Sequence, residues 1–458
     1  MKNKLFHSFL LTIIVIGILM GLKWLPKITI FGIELKPVDL LADIRSVSNE
    51  EEDIESKNIL PVTVQGLRNY DLPIQENLMP IEDYSWNKGD PKRYVGRGMD
   101  YFYRALDKIS VMNRPVRIAY FGDSFIEGDI LTKDLRSLLQ NRFGGSGVGF
   151  VDIASPTAEY RNSIKEVSTG WDSYAVTDKT GFEGGYQGIN ERYFIPKGMG
   201  QISLEGNAHM KAMHQDKWEV TTLYFKSSNH MVLLSQLNDD HVQKVNTDAS
   251  LMVQQIQIRG EAKKATWLIP EGAGIFFGIG LDPLKGITVD NFSMRGSSGI
   301  TLSNIPKDTL LQFASLRSYD LIVLQFGLNV ANSKQSNYAD YGNKIEKVIV
   351  KFAQAFPNAS ILIVGVGDRG ERRNTVVTTM PGIKALGYQQ QQIAFKTGCS
   401  FWNLYQAMGG AGSIAKMADA KPAMANKDYT HINSRGGQFI AQRLFDALMH
   451  GYEGQRKK

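Results

Sequence analysis

An α/β domain on a largely parallel sheet, interrupted by an all-β insert, is the fold that the sequence predicts, on three observations. Continuous apolar runs such as Arg117 to Phe121, Asp320 to Gly327 and Ser360 to Asp368 have the form of strands buried on both faces, as a helix-covered parallel sheet requires. Between and after these runs lie segments whose apolar residues recur at helical spacing. From about Ala154 to Leu281 the texture changes to short β-branched and aromatic runs separated by Gly, Asn and Asp, the signature of a sandwich or barrel. At 458 residues the chain also exceeds one simple core, so more than one folded unit is expected.

The elements follow in chain order. In "MKNKLFHSFLLTIIVIGILMGLKWLP" an apolar run from Leu5 to Leu22 follows Lys2 and Lys4. Its length approaches a bilayer span, and the leading lysines favour a cytoplasmic N-terminus with the body exported. No small-x-small cleavage site follows, so residues 1–25 are read as an uncleaved signal anchor. Residues 26–90, with the acidic run "SNEEEDIESKN" and scattered prolines, read as a tether. The α/β unit begins over 91–153. Tyr94, Met99, Phe102, Leu106 and Ile109 suggest a helix, a strand ends on Gly122-Asp123-Ser124, and "TKDLRSLLQNRFGG" is a helix with glycines at its stop. The β insert occupies 154–285. The α/β pattern resumes over 286–458, where Ile345, Val348, Ile349 and Phe352 mark a helix between two strands. "GCSFWNL" is a further strand, and "GGQFIAQRLFDALMHGY" is the closing helix.

Composition narrows the function classes. The net charge of +6 is spread along the chain and forms no basic arm, which argues against a nucleic-acid partner. Cys399 is the only cysteine, so no intramolecular disulfide can form. His209 and His214 stand five apart with no cysteine or HExxH pattern beside them, so no metal is expected. "GGSGVGF" lacks the lysine and hydroxyl of a phosphate loop, and no cofactor is expected either.

What remains is a candidate nucleophile and its helpers. Ser124 falls at the carboxyl end of a buried strand, where ligands of α/β sheets sit. A serine needs a base and a group to orient that base. Of seven histidines, His431 in "NKDYTHINSRGGQF" lies in a loop before a helix, three residues after Asp428. Developing negative charge on an acyl oxygen needs donors, and two glycine-rich or asparagine-bearing turns could supply them. These are "NFSMRGSSGITL", with Gly296 and Gly299, and "VLQFGLNVAN", with Asn329. Each group also has a plain structural reading, as helix cap or turn former.

Gly122-Asp123-Ser124, the glycine loop ending at Gly299, Gly327-Leu328-Asn329 and Asp428-Tyr429-Thr430-His431 stand in the order of the four sequence blocks of the SGNH, or GDSL-type, hydrolases. The stretch from Gly122 to Phe150, the β insert and "YDLIVLQFGLN" resemble exported peptidoglycan O-acetylesterases within that superfamily. The resemblance implies a three-layer α/β/α fold with a jelly-roll insert like a carbohydrate-binding module. It implies Ser124 as nucleophile, His431 as base and then acid, and Asp428 as the orienting carboxylate. The implied oxyanion donors are the N–H groups of Ser124 and Gly299 and the Asn329 side chain. Trp171, Trp218 and Trp267 would be sugar platforms. Val330 departs from the acidic residue that many members carry after the asparagine. The implied activity is removal of O-acetyl groups from peptidoglycan or another envelope polysaccharide. Acetyl transfer to a sugar hydroxyl, or glycan binding without catalysis, are the alternatives.

Overall fold

A computed structural model describes residues 28–30, 33–35, 78–87 and 92–456, apart from 271, 273 and 375. The apolar run from Leu5 to Leu22 and most of the expected tether lie outside the described residues. Among the described residues no helix is long and apolar enough to cross a membrane. The chain divides into two compact units, Met1–Asn69 and Tyr70–Lys458. In the first, β1 (Ile28–Ile30) and β2 (Ile33–Leu35) pair antiparallel.

The second unit opens with β3 (Glu82–Asp83), which lies inside the segment read from sequence as a tether. Helix α1 covers Asp100–Asp107 only. The expected start near Tyr94 fails because residues 95–99 are tied elsewhere. Val95 and Gly96 donate their N–H groups to the Thr397 carbonyl, and the Met99 N–H goes to the Asp83 carboxylate at 2.8 Å. Strand β4 (Val116–Gly122) and helix α2 (Thr132–Phe143) match the sequence reading. β5 (Gly149–Val151) then pairs with a later strand of the insert, so the antiparallel sheet begins ahead of Ala154.

The antiparallel sheet has nine strands, formed by β5 with β6 (Ile164–Ala175), β7 (Arg192–Gly206), β8 (Trp218–Ser227), β9 (Met231–Leu237), β10 (Gln243–Thr247), β11 (Ser250–Ala262), β12 (Lys264–Ile269) and β13 (Ile275–Asp282). Its core holds Trp218 and Trp267, both fully buried, beside Phe194, Phe225 and Phe276. Trp171 donates its indole N–H to the Gln201 carbonyl and meets Phe276 edge-on. The three tryptophans are therefore placed by packing, and Trp218 and Trp267 present no face to solvent. The expectation of sugar platforms is corrected accordingly for Trp218 and Trp267; Trp171 is half-buried.

After the insert come β14 (Ile287–Ser293), α3 (Lys307–Leu316), β15 (Leu321–Gln325), α4 (Ala339–Ala355) and β16 (Ser360–Val364). A small hairpin, β17 (Gly370–Arg373) with β18 (Val376–Thr379), follows. The chain closes with α5 (Gly382–Thr397), β19 (Ser400–Trp402), the short α6 (Leu404–Ala407), α7 (Ser413–Asp419) and α8 (Ser434–Arg456). Six strands form the second sheet in the order β14-β4-β15-β16-β19-β3, all parallel except β3.

Helices cover both faces of this sheet. Successive residues of a strand point to opposite faces. On β14, Phe292 stacks on Phe121, which in turn meets Phe352 of α4. Its neighbour Asn291 instead bonds Thr132 at the start of α2. β15 and β16 are buried at every residue, as a sheet covered on both sides demands. Cys399 is buried just before β19, and burial pushes its thiol up to about 12, so it is a packing residue.

Two carboxyls of the insert are shifted by burial. Burial pushes the Glu166 carboxyl up to about 8 and that of Glu191 to about 7. Both groups hold their protons more tightly folded than unfolded, where the ordinary value is 4.5. The folded state therefore binds more protons between those values, and stability falls as pH rises through that window. Expected is a melting temperature that declines from about pH 5 to about pH 8. Glu166→Gln should make that decline shallower, and an unchanged slope would contradict this assignment.

Candidate active site

Ser124 is delivered by the end of β4. A Cβ on Gly122 would stand 3.0 Å from the Ile126 side chain and 3.1 Å from the Gln325 carbonyl, so the strand turns there over a close neighbour. The Asp123 carboxylate accepts the Phe125 N–H at 3.0 Å and closes the turn around the serine. Downstream, Asp129 sits at φ 63° with no exposed surface to speak of. It receives Thr132 Oγ1 at 2.6 Å, Asn291 Nδ2 at 3.0 Å, Arg161 Nε at 2.9 Å, Arg136, and the Ser163 hydroxyl. Burial opposes its charge, but Arg136, Arg161 and the Ser163 bond outweigh that and hold its pKa well below the carboxylate range. Because Arg161 and Ser163 belong to the insert side, this carboxylate ties the serine loop to the insert.

His431 arrives on the loop before α8. Asn426 N–H bonds the His431 carbonyl at 2.8 Å, and Tyr429, at φ 55°, gives its carbonyl to the Gly370 N–H of β17 at 2.7 Å. The β17–β18 hairpin thus braces the loop. Within it Asp428 does two jobs: Oδ1 accepts the N–H groups of Thr430 and His431 at 2.9 and 3.0 Å, while Oδ2 stands 2.7 Å from His431 Nδ1. Burial works against ionisation of Asp428, but the bonds from the imidazole and the two N–H groups win and lower its pKa. The other imidazole nitrogen, Nε2, lies 3.1 Å from Ser124 Oγ. The expected trio is brought together in one hydrogen-bonded line. In that geometry the hydroxyl donates to Nε2 and Nδ1–H donates to the carboxylate, the arrangement that moves a proton off a hydroxyl.

Ser124 and His431 open into a cavity of about 570 Å³, lined also by Asn329, Glu127, Lys133, Tyr160, Asn162, Arg295 and Gly296, among others. Of the expected donors, Ser124 and Asn329 line the cavity and Gly299 does not. Gly299 gives its N–H to Ser297 Oγ at 3.0 Å, and a Cβ there would strike the Phe326 ring at 2.5 Å, so this glycine is committed to packing. Gly296 lies on the cavity wall, at φ 76° with nothing within 4 Å of an added Cβ. Asn329 lines the cavity as expected, its Nδ2 donating to the Ser297 carbonyl at 3.0 Å and to Asp123 Oδ2 at 3.3 Å.

Sequence reasoning missed the wall contributed by the insert. Tyr160, 69% exposed, and Asn162 flank the half-buried Arg161 and have no local motif to announce them. Arg295 pairs with Glu127 across the cavity rim and sits in the glycine loop already singled out. Among the described residues no group of three or more His, Cys, Asp or Glu side chains is placed to hold a metal ion.

No family model matches the chain, and no curated protein matches it in sequence. Among solved structures, a peptidoglycan O-acetylesterase is similar with a TM-score of 0.66 and 20% identity, covering 82% of this chain and 99% of that one. A family two carbohydrate esterase from Cellvibrio japonicus covers 63% of this chain and 99% of its own, at 10% identity and a TM-score of 0.25. A family 3 carbohydrate esterase from Talaromyces cellulolyticus covers 36% and 72%, at 15% identity and 0.26. At those last two scores the overlap carries no weight. The 0.66 match extends over nearly the whole of the other chain; this protein shares the fold of that peptidoglycan O-acetylesterase.

Proposed function

We propose that this protein is an SGNH-type serine esterase that removes O-acetyl groups from peptidoglycan or a similar envelope polysaccharide. The observation that carries the reading is the line Ser124–His431–Asp428, at 3.1 and 2.7 Å, on the rim of a parallel sheet. Ser124 Oγ attacks the acetyl carbonyl carbon while His431 Nε2 takes the hydroxyl proton. The carbonyl oxygen becomes an oxyanion facing the N–H groups of Ser124 and Gly296 and the Asn329 amide. Collapse expels the sugar oxygen, which takes the proton from His431, and leaves an acetyl-serine. Water, deprotonated by the same imidazole, then releases acetate.

Hydrolysis is favoured over transfer by exposure. His431 and Asp428 keep 44% and 47% of their side-chain surface, so water reaches the imidazole directly, whereas a transferase must exclude it. The fold shared with a peptidoglycan O-acetylesterase supports the substrate class. The apolar run 5–22 supports export to the cell envelope and retention at the inner membrane. Acetate release from O-acetylated peptidoglycan, with Ser124→Ala alongside, tests the reading. Release by the wild type alone supports it, and transfer to a glycan acceptor outpacing acetate release overturns it.

Asp428→Asn tests the orienting carboxylate. The substituted amide can keep the two backbone N–H groups on its oxygen only by turning its NH2 toward His431 Nδ1, which forces the proton onto Nε2, the wrong nitrogen for a base. A loss in kcat of roughly a hundredfold to ten-thousandfold is expected, with little loss of stability. An unchanged kcat would remove Asp428 from the mechanism.

A further inference from the structure

Asp123 is a buried charged group next to the serine, and nothing in the reaction scheme uses it. It is 1% exposed and stands one residue before Ser124. Its two oxygens are divided between two loops. Oδ1 holds the Phe125 N–H of the serine turn, and Oδ2 faces Asn329 Nδ2 at 3.3 Å. The same nitrogen gives its other hydrogen to the Ser297 carbonyl at 3.0 Å. Ser297 in turn receives the Gly299 N–H on its hydroxyl, and the neighbouring Ser298 carbonyl is held by Tyr341.

An asparagine amide has one end that donates and one that accepts, and the two are nearly the same shape. Turned over, Asn329 would set its oxygen against the Ser297 carbonyl and the Asp123 carboxylate, with no hydrogen between any of them. An unpartnered buried acceptor costs about 1–3 kcal/mol. The Ser297 carbonyl supplies one acceptor from the main chain, and Asp123 supplies the other from a side chain with no donor of its own when ionised.

We propose that Asp123 is a positioning residue that fixes the orientation of the Asn329 amide, so that its nitrogen end, and not its oxygen, faces the cavity, and the hydrogen held by the long 3.3 Å contact to Asp123 turns to the oxyanion as that charge forms. The proposal rests on the esterase reading of the site. Burial pushes the Asp123 carboxyl up to about 6, against the Phe125 N–H bond and the nearby His431, so the clamp loosens in mild acid.

Asp123→Asn is close to isosteric and can still accept the Phe125 N–H, but it then presents NH2 to the Asn329 nitrogen. The Asn329 amide must turn over or lose its partner. Because the oxyanion forms only in the transition state, the loss should fall on kcat and leave KM within about twofold. The expected drop in kcat on a simple acetyl ester is roughly tenfold to a hundredfold. In the Asn329→Ala background the same substitution should change kcat little, since the residue it acts through is gone. Full multiplication of the two losses, or an unchanged kcat in the single variant, overturns the proposal.

A second arm needs no Asp123 variant. In wild-type protein labelled with 15N-asparagine, the Asn329 Nδ2 signal, assigned by its loss in Asn329→Ala, should move with pH around a midpoint near 6. A signal that stays still between pH 5 and pH 8 overturns the pairing. If Ser124→Ala retains wild-type hydrolysis, the esterase reading has failed, and the NMR titration still decides the Asp123–Asn329 link.

Discussion

Ser124→Ala lowers kcat on a simple acetyl ester by at least about a thousandfold, the loss seen when a serine triad loses its nucleophile. The size follows from what is left. Without Oγ there is no covalent route, and His431 can only activate water from a position set for a hydroxyl 3.1 Å away. The cavity and the donors around Gly296 and Asn329 remain and support a residual rate. Ser124 lies on a braced turn and makes no buried contact whose loss should unfold the protein, so the melting temperature should stay within a few degrees. Steady-state hydrolysis with circular dichroism checks both. A variant that keeps more than about a tenth of wild-type kcat would point to another nucleophile or to metal-activated water.

Arg317→Met is expected to have the largest effect on stability. Arg317 is fully buried and divides its guanidinium between two carboxylates. Nε and Nη2 hold Asp290 at 2.6 and 2.7 Å, and Nη1 and Nη2 hold Asp282 at 2.6 and 2.9 Å. Tyr224 Oη lies 3.3 Å from Nη1, while Tyr319 donates to Asp290 at 2.6 Å. These groups come from β8, the end of β13, β14 and the chain after α3, so the cluster fastens the antiparallel sheet to the parallel one. Burial opposes the charge on Arg317, but Asp282 and Asp290 more than restore it and raise its pKa.

Methionine fills similar space but takes the shared guanidinium from two buried carboxylates, leaving Asp282 with Arg117 at 3.4 Å and Asp290 with the Tyr319 hydroxyl and the Phe150 N–H. Removing one partner of a buried ion pair costs about 3–5 kcal/mol. Urea unfolding should register a loss of that order, and adding Asp282→Asn should recover part of it by removing a stranded charge. A loss below about 1 kcal/mol would mean that the seam is held chiefly by its aromatic contacts, among them Phe150 with Phe292 and Phe277 with Phe313.

Legibility in the sequence followed how local each cause is. β4, β15 and β16 were readable because a strand buried on both faces must be apolar throughout. Asp428 and His431 were readable as a pair because three residues span one turn, and the structure places them 2.7 Å apart. That Gly296 and not Gly299 lines the cavity could not be read in advance, because the Ser297 hydroxyl takes the Gly299 N–H and the Phe326 ring fills the space beside it. β3 was hidden because two residues carry no period, and its place comes from pairing with β19, more than three hundred residues later.

Charges misled in the same way. Arg136, Arg161 and Arg317 look in sequence like part of a solvated positive balance, yet each is tied to a buried carboxylate. Long-range partners, invisible along the chain, decide whether an arginine is surface or core. The tryptophans of the insert are the converse case: an aromatic ring serves a core or a sugar equally well in sequence, and only burial separates the two uses.

The central claim is that acetyl transfer passes through the Ser124 oxygen. Rapid acid quenching of wild-type enzyme during turnover of an acetyl ester, followed by peptide mass analysis, tests it most directly. Expected is an acetyl group on the peptide carrying Ser124, absent when Ser124 is replaced by alanine. Steady acetate production with no acetylated peptide in wild type, or with the label on another residue, would contradict it.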